Sequence, residues 1–240
     1  MRVYTQFQQP IRTVALSLLS CLLAPAAQAQ LSGSAGLMSN YLYRGISLSN
    51  NQPAARLALN YDGAGGWYAG GQAVTGQLVT EQQRNVQWVG YAGYAARLAS
   101  GLSWESGVSA YAFPRSPTWN FREVYVGLAG NGLSGRLHYS PDYLGMNERT
   151  LFGELNGGWM LAPRWQAFWH GGYLHSFDNA LSNRAELRFG VATGLHGWRA
   201  QASFDLTRLR SASNSRTYIG TSAIDVDWER RLVLSFARAF

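Results

Sequence analysis

The sequence contains no lysine, and Cys21 is its one cysteine, so a framework of disulfide bonds is excluded. No apolar run after position 30 reaches the roughly 20 residues that a membrane-spanning helix requires. All 20 basic residues are arginines, and they are spread along the chain rather than clustered as in most nucleic-acid-binding proteins. Glycine-rich phosphate loops, metal-ligand spacings and nucleotide motifs are missing as well. The sequence therefore predicts no cofactor, no metal and no nucleic-acid partner.

The N-terminal segment 1–29 is predicted to be an export signal that is cleaved. Basic residues precede the apolar segment 14–25, and Ala27-Gln28-Ala29 forms a small-x-small cleavage site. The apolar segment is about a dozen residues long, which is too short for a helix that spans a membrane. Cleavage leaves Gln30 as the first residue of the exported protein. In the alternative interpretation, a lipidation box ends at Cys21 and keeps this residue as an acylated N-terminus.

Residues 30–240 alternate between apolar and polar or small side chains, which is typical of β-strands with one apolar face. Leu57 and Leu59, for example, alternate with Arg56 and Ala58. The alternation predicts a single all-β domain over 30–240. Its twelve predicted strands span 33–43, 54–62, 66–75, 85–98, 101–113, 119–129, 132–140, 150–160, 163–176, 184–194, 197–209 and 229–240.

The connections between these strands alternate between short turns and longer loops. The short ones span 62–66, 98–101, 129–132, 160–163 and 194–197, and the longer ones span 44–52, 76–84, 114–118, 140–149, 177–183 and 210–228. Short periplasmic turns and longer extracellular loops are typical of outer-membrane proteins. The sequence thus predicts a transmembrane antiparallel up-and-down β-barrel of about 12 strands in the outer membrane of a Gram-negative bacterium.

Aromatic residues concentrate near the two ends of the predicted strands, as expected for belts at the two membrane interfaces. The belt at the short turns contains Tyr61, Trp67, Trp104, Trp159, Trp165, Trp198 and Phe240. The belt at the long loops contains Tyr43, Trp88, Trp119, Phe121, Tyr139, Tyr173 and Trp228. A soluble barrel or sandwich, in which these rings cap a core, is the alternative.

Charged side chains within the strands are expected to face the lumen, because an arginine on the lipid face at mid-depth costs about 2 to 4 kcal/mol. The pore-lining candidates are Arg56, Arg97, Glu105, Glu123, Arg136, Glu154, Glu186, Arg188, Arg199, Asp205 and Arg231. Such a surface favours passive diffusion of small polar or anionic solutes through a narrow pore. The same charges also fit a structural barrel plugged by salt bridges across its lumen.

An outer-membrane lipid hydrolase is a third hypothesis, carried by His138, Ser140 and Asp142. A serine and a histidine two positions apart on a strand lie roughly 7 Å apart, too far for a direct hydrogen bond between nucleophile and base. The sequence therefore predicts a protein that is not an enzyme and has no catalytic residue.

Five arginines lie in or beside the predicted extracellular loops, where lipopolysaccharide phosphates are found. Guanidinium groups bind phosphate through paired hydrogen bonds, so we expect contacts with lipopolysaccharide in the outer membrane. Solvated loop charge is the alternative. These candidates are Arg44, Arg84, Arg115, Arg149 and Arg184.

Two stretches resemble the beginning of the TorF-type porin family of proteobacterial outer-membrane proteins: Ser39 to Ser47 with the continuation 51–54, and Gly66-Trp67-Tyr68-Ala69-Gly70. The final strand also ends in Phe240, which resembles the signal read by the barrel assembly machinery. Arg238 departs from that signal, since an apolar residue is usual there. The resemblance implies an outer-membrane barrel with a porin-like activity.

Overall fold

A computed structural model of the chain describes residues 30–77, 84–178, 181–210 and 226–240. The predicted export signal 1–29, with its cleavage site and Cys21, lies outside these residues. No helix within the described ranges is long and apolar enough to span a membrane.

Twelve strands form one closed antiparallel barrel, as the sequence predicts. They are β1 (Gln30–Met38), β4 (Ala54–Asp62), β5 (Trp67–Gly76), β6 (Asn85–Arg97), β7 (Ser103–Ala112), β8 (Phe121–Gly130), β9 (Leu133–Ser140), β10 (Thr150–Ala162), β11 (Trp165–Ser176), β12 (Asn183–Leu195), β13 (Trp198–Arg210) and β14 (Val226–Ala239). Consecutive barrel strands are hydrogen-bonded, and β1 pairs with β14 to close the barrel. The short strands β2 (Leu42–Tyr43) and β3 (Ile46–Ser47) form a separate hairpin.

Each barrel strand has an outer apolar face and an inner polar or aromatic face. In β8, Glu123 and Tyr125 are buried, whereas the alternate residues Val124 and Val126 are exposed. Large apolar side chains remain exposed around the outer surface, Leu155 among them at 59%. An apolar outer face is what a barrel surrounded by lipid requires.

The five tight turns at one end of the barrel have sequences suited to their backbone. Asn131 and Gly132 connect β8 to β9 with φ angles of 53° and 77°. A two-residue hairpin turn with two positive φ angles favours Asn-Gly, because both residues tolerate the left-handed region. We call this end of the barrel the short-turn end and the opposite end the long-loop end.

Most predicted belt aromatics point outward. Tyr61, Trp67, Trp159, Trp165, Trp198 and Phe240 are exposed at the short-turn end, and Trp88, Tyr139, Tyr173 and Trp228 are exposed at the long-loop end. Three predictions are wrong. Phe121 is buried on the inner face, while Tyr43 and Trp119 pack against the same inner cluster. The position of each residue in the alternation of its strand, or the path of its loop, directs the ring inward, away from the membrane interface.

Candidate functional site: the charged lumen and the inward hairpin

The segment between β1 and β4 folds into the lumen instead of extending from the barrel as a loop. We call residues 39–53 the inward hairpin. Asn40 organises it, since its Oδ1 accepts hydrogen bonds from the hydroxyls of Ser47 and Ser49 at 2.6 and 3.1 Å. The side chain of Asn40 also donates to Asn51 Oδ1 at 2.9 Å. These local bonds between small polar residues give the hairpin its own shape.

The tip of the inward hairpin is attached to β8. Nη1 and Nη2 of Arg44 donate to Oε1 and Oε2 of Glu123 at 2.6 and 2.7 Å. The two side chains are only 5% and 1% exposed. The guanidinium carbon of Arg44 also lies 4.2 Å from the centre of the Phe152 ring. A paired, charge-assisted contact of this kind is among the stronger hydrogen-bonded interactions in proteins.

The same tip is bound on the other side of the barrel. The carbonyl oxygen of Gly45 accepts hydrogen bonds from Thr207 Oγ1 at 3.0 Å and from Arg231 at 3.1 Å. Thr207 belongs to β13, which lies five strands from β8 in the twelve-strand barrel. The inward hairpin therefore bridges the lumen from wall to wall.

An apolar cluster fills the long-loop end of the lumen around the inward hairpin. Tyr111 and Phe121 stack there with ring centres 4.1 Å apart, and Tyr143 packs edge-on against Phe121 at 5.1 Å. The buried members of this cluster are Tyr41, Leu48, Ala54, Val74, Val89, Tyr111, Phe113, Phe121, Tyr143, Leu144, Phe152, Leu174 and Leu181. A small hydrophobic core therefore occupies the long-loop end of the lumen.

The remaining lumen is polar, and its carboxylates have partners. Arg136 donates to Glu105 Oε1 from Nε at 2.9 Å, and the Tyr68 hydroxyl donates to Glu105 Oε2 at 2.8 Å. His170 lies between Glu186 at 3.1 Å and Asn156 at 2.7 Å. The other ion pairs in the lumen are Arg188–Asp205 and Arg231–Glu229, and the His138 ring lies 3.4 Å from Glu123 and 3.7 Å from Glu154.

Strand parity places all eleven pore-lining candidates on the inner face. Glu123, Glu186 and Asp205 are buried, Arg56, Glu105, Arg136, Glu154, Arg188, Arg199 and Arg231 are partly buried, and Arg97 is exposed at the short-turn end. Their roles in solute passage stay predictions. Sequence reasoning missed the tyrosines of this network, such as Tyr68. The two-residue repeat of side-chain direction along β5 would have identified Tyr68 from the sequence.

Several buried side-chain donors in the described lumen have no hydrogen-bond acceptor. The nitrogens are Nε of Arg56, Nε2 of Gln87, Nε and Nη1 of Arg184, Nε of Arg199 and Nδ1 of His138, and the hydroxyls are those of Tyr43 and Thr150. His138 Nδ1 does lie 3.4 Å from a Glu123 oxygen, a distance that is suitable for an ion pair. No carboxylate oxygen of the described residues belongs to this set. The unpartnered groups that can only donate are the guanidinium nitrogens of Arg56, Arg184 and Arg199 and the amide nitrogen of Gln87.

The predicted lipopolysaccharide contacts divide into two groups. Arg84, Arg115 and Arg149 are exposed at the long-loop end. For Arg44 and Arg184 the prediction is wrong, because both are buried on the inner side of the barrel. Arg44 sits in the inward hairpin, and Arg184 shares the inner parity of Glu186 on β12. Lipid phosphates outside the barrel have no access to either guanidinium.

The three residues of the hydrolase hypothesis do not form a triad. The Ser140 hydroxyl donates to the carbonyl of Arg122 at 2.9 Å, whereas His138 faces Glu123 and Glu154. Asp142 accepts a hydrogen bond from the backbone of Asn147 at 2.6 Å. Within the described ranges, no three His, Cys, Asp or Glu side chains are placed to hold a metal ion.

The fold is that of a porin. The KdgM porin superimposes with a TM-score of 0.53 and 13% identity, over 88% of this chain and 98% of that chain. A second structure, the KdgM porin in complex with disordered oligogalacturonate, gives a TM-score of 0.52 and 12% identity over 88% and 98% of the two chains. At such low identity the likeness shows the fold alone. No curated protein sequence matches this chain.

The chain belongs to the Gcw_chp family, described as a bacterial protein of unknown function, whose profile matches residues 23–233. Neither this match nor the KdgM likeness is specific to TorF-type porins. The resemblance of residues 39–47 to that family therefore stays a prediction.

Proposed function

We propose that this protein is an outer-membrane channel for small anionic solutes, and that the inward hairpin closes its extracellular mouth in the conformation described above. The observation that carries the proposal is the set of buried arginine donors without acceptors in the lumen. Arg56, Arg184 and Arg199 have such guanidinium nitrogens, whereas no carboxylate oxygen of the described residues is among the buried atoms without a partner. A passing anion is stabilised by such donors.

The first test is conductance of the refolded barrel in a planar bilayer under a salt gradient. We expect a reversal potential of the sign that indicates anion preference. Replacing Arg56 and Arg199 by glutamine should move that potential toward zero, because two unneutralised lumen charges are lost. The matched control replaces two exposed loop arginines, Arg84 and Arg115, and should leave the selectivity unchanged. Cation preference, or equal selectivity in both double variants, would contradict the proposal.

The nature of the organic solute can be tested in the same bilayer. The KdgM structure mentioned above contains oligogalacturonate, whose sugars carry carboxylates. Galacturonate oligomers are therefore the first anions to add, with neutral oligosaccharides of equal length as the control. Reduction of the chloride current by the acidic sugar alone supports an anion pathway, and equal effects of the two sugars count against it.

A permanently closed structural barrel is the second candidate function. It is favoured by the buried cluster around the inward hairpin, in which Tyr143 and Leu174 are almost inaccessible. Correctly folded protein that shows no conductance, even after the Arg44–Glu123 pair is removed, would favour this candidate. Conductance that appears only in that variant would instead support a channel with a removable closure.

Location and lipid contacts belong to the same proposal. We expect export through segment 1–29 and assembly through the terminal strand ending at Phe240. The exposed Arg84, Arg115 and Arg149 are proposed to bind lipopolysaccharide phosphates. Replacing the three by glutamine should reduce the lipopolysaccharide retained during purification, and unchanged retention would remove this part of the proposal.

A further inference from the structure

Arg184 differs from the other arginines of the lumen in being almost completely buried without an acidic partner. Only 4% of the residue is exposed, and neither Nε nor Nη1 has a hydrogen-bond acceptor. Arg44 is equally inaccessible, but Glu123 accepts hydrogen bonds from it. A buried guanidinium without a counter-ion is strongly unfavourable, so Nε and Nη1 of Arg184 require an acceptor that the described residues do not supply.

The described carboxylates form no ion pair with Arg184. The groups that interact with it electrostatically include Tyr143, Glu186 and Arg44. Glu186 lies two residues away on the same face of β12, yet its Oε1 is bonded to His170 at 3.1 Å. The side-chain oxygen of the adjacent Asn183 accepts a hydrogen bond from the backbone of Ser176 at 2.8 Å.

The strand neighbours of Arg184 give the site an apolar wall. Arg184 pairs with Leu174 on β11, and Leu174 pairs with Phe152 on β10. Leu174 is fully buried, and the Phe152 ring already packs under the Arg44 guanidinium. Electrostatic attraction is stronger in such a water-poor region than in an open channel, which favours a bound anion over a loosely held one.

We propose that Arg184 is the centre of a binding site for one oxyanion group, a carboxylate or a phosphate, beside the tip of the inward hairpin. The inference rests on the proposed function, since the bound group would be the charged end of a solute on the channel's path. Arg44 stands beside the site with its own charge neutralised by Glu123. Arg184 is therefore the cation that remains to attract the anion.

The test uses inorganic phosphate as the probe and the refolded full barrel in detergent. The unfolding temperature is followed while phosphate replaces chloride at constant ionic strength. For the wild type we expect a saturable rise, because a ligand that binds only the folded state stabilises it. Arg184→Gln should lose the rise or need about tenfold more phosphate, as expected when charged hydrogen bonds are lost.

Arg84→Gln is the matched control. It also removes one arginine, but this residue is exposed at the long-loop end and is not part of the lumen. We expect this variant to keep the phosphate response of the wild type. Arg184→Lys is the second variant in case Arg184→Gln does not fold. It keeps the charge without the planar fork and should bind phosphate more weakly than the wild type.

The possible results of this experiment distinguish the proposed anion site at Arg184 from the proposed channel function. No saturable response in the wild type, or an equal response in wild type and Arg184 variants, overturns the site and shows that water satisfies the guanidinium. A phosphate response that depends on Arg184, in a barrel that does not conduct even after the Arg44–Glu123 pair is removed, supports the site and overturns the channel. Anion-selective conductance without that response supports the channel and overturns the site.

Discussion

Arg44 and Glu123 are 79 positions apart in the sequence, and their side chains form a double hydrogen bond at 2.6 and 2.7 Å inside the barrel. The pair attaches the tip of the inward hairpin to the wall at β8. On the opposite side, Gly45 is attached to β13 and β14 through its carbonyl oxygen. The tip of the inward hairpin is therefore held through two adjacent residues, Arg44 and Gly45.

Arg44→Gln should destabilise the barrel and release the hairpin. The change leaves the Glu123 carboxylate buried without its guanidinium, which typically costs about 3 to 5 kcal/mol. We expect a lower urea midpoint for unfolding and a larger single-channel conductance. Arg149→Gln is the control, because Arg149 forms its ion pair with Asp178 at the exposed long-loop end. An unchanged conductance in Arg44→Gln would show that the ion pair does not hold the mouth closed.

Gly45→Ala should loosen the other attachment. Gly45 has a φ of +75°, and an added Cβ would lie 2.7 Å from Thr207 Oγ1. Gly65→Ala is matched to it, with a φ of +81° and open space around the added Cβ. Both variants carry the left-handed strain of about 1 to 2 kcal/mol. Only Gly45→Ala should also raise the conductance. Equal conductance of the two variants would argue against a specific contact between the hairpin tip and Thr207.

An arginine on the outer face of β10 tests the lipid contact directly. Leu155→Arg places a charge midway along the strand and should reduce the free energy of unfolding in lipid vesicles by about 2 to 4 kcal/mol. Leu151→Arg lies on the same face near the long-loop end, where the cost falls to about 0 to 1 kcal/mol. If both variants were equally stable, this face would not be surrounded by lipid.

The ion pair between Arg149 and Asp178 should weaken only at strongly acidic pH. Hydrogen bonds from the Arg149 side chain, and then from its backbone N–H, lower the pKa of Asp178 from 3.8 to about 2. Because the folded pKa is depressed, the contribution of the pair is complete above about pH 4 and is lost as the pH falls through about 2. Carbon NMR titration of the Asp178 carboxyl should show this midpoint. In Arg149→Gln the midpoint should return toward 3.8, and a wild-type midpoint near 3.8 would contradict the pairing.

The barrel itself could be read from local patterns. Alternation along β8 and β13 assigns each side chain to the inner or outer face without knowledge of any partner strand. The same rule would have moved Arg184 to the lumen, since it shares parity with Glu186 and Arg188. Arg184 stands at the first position of a predicted strand, where boundaries are least certain, so the pattern alone also fits a loop.

The inward hairpin could not be read in this way. The sequence of Tyr43, Arg44 and Gly45 fits a loop that leaves the membrane as well as one that enters the lumen, because an aromatic residue, a cation and a glycine suit both. The partners that decide, Glu123 and Thr207, are 79 and 162 positions away from the residues they bind. Pairing at such separations leaves no periodic signal in the sequence.

The sequence by itself determined the number of strands, their inner and outer faces and the alternation of short and long connections. These features depend on the two-residue repeat of an extended chain, and each strand carries that repeat independently. Only the tertiary structure decided that a hydrophobic core occupies the long-loop end of the lumen, that Arg44 pairs with Glu123, and that Arg184 is buried with Nε and Nη1 lacking an acceptor among the described residues. Those features depend on distances between side chains from strands on opposite sides of the barrel, which exist only once the barrel has closed.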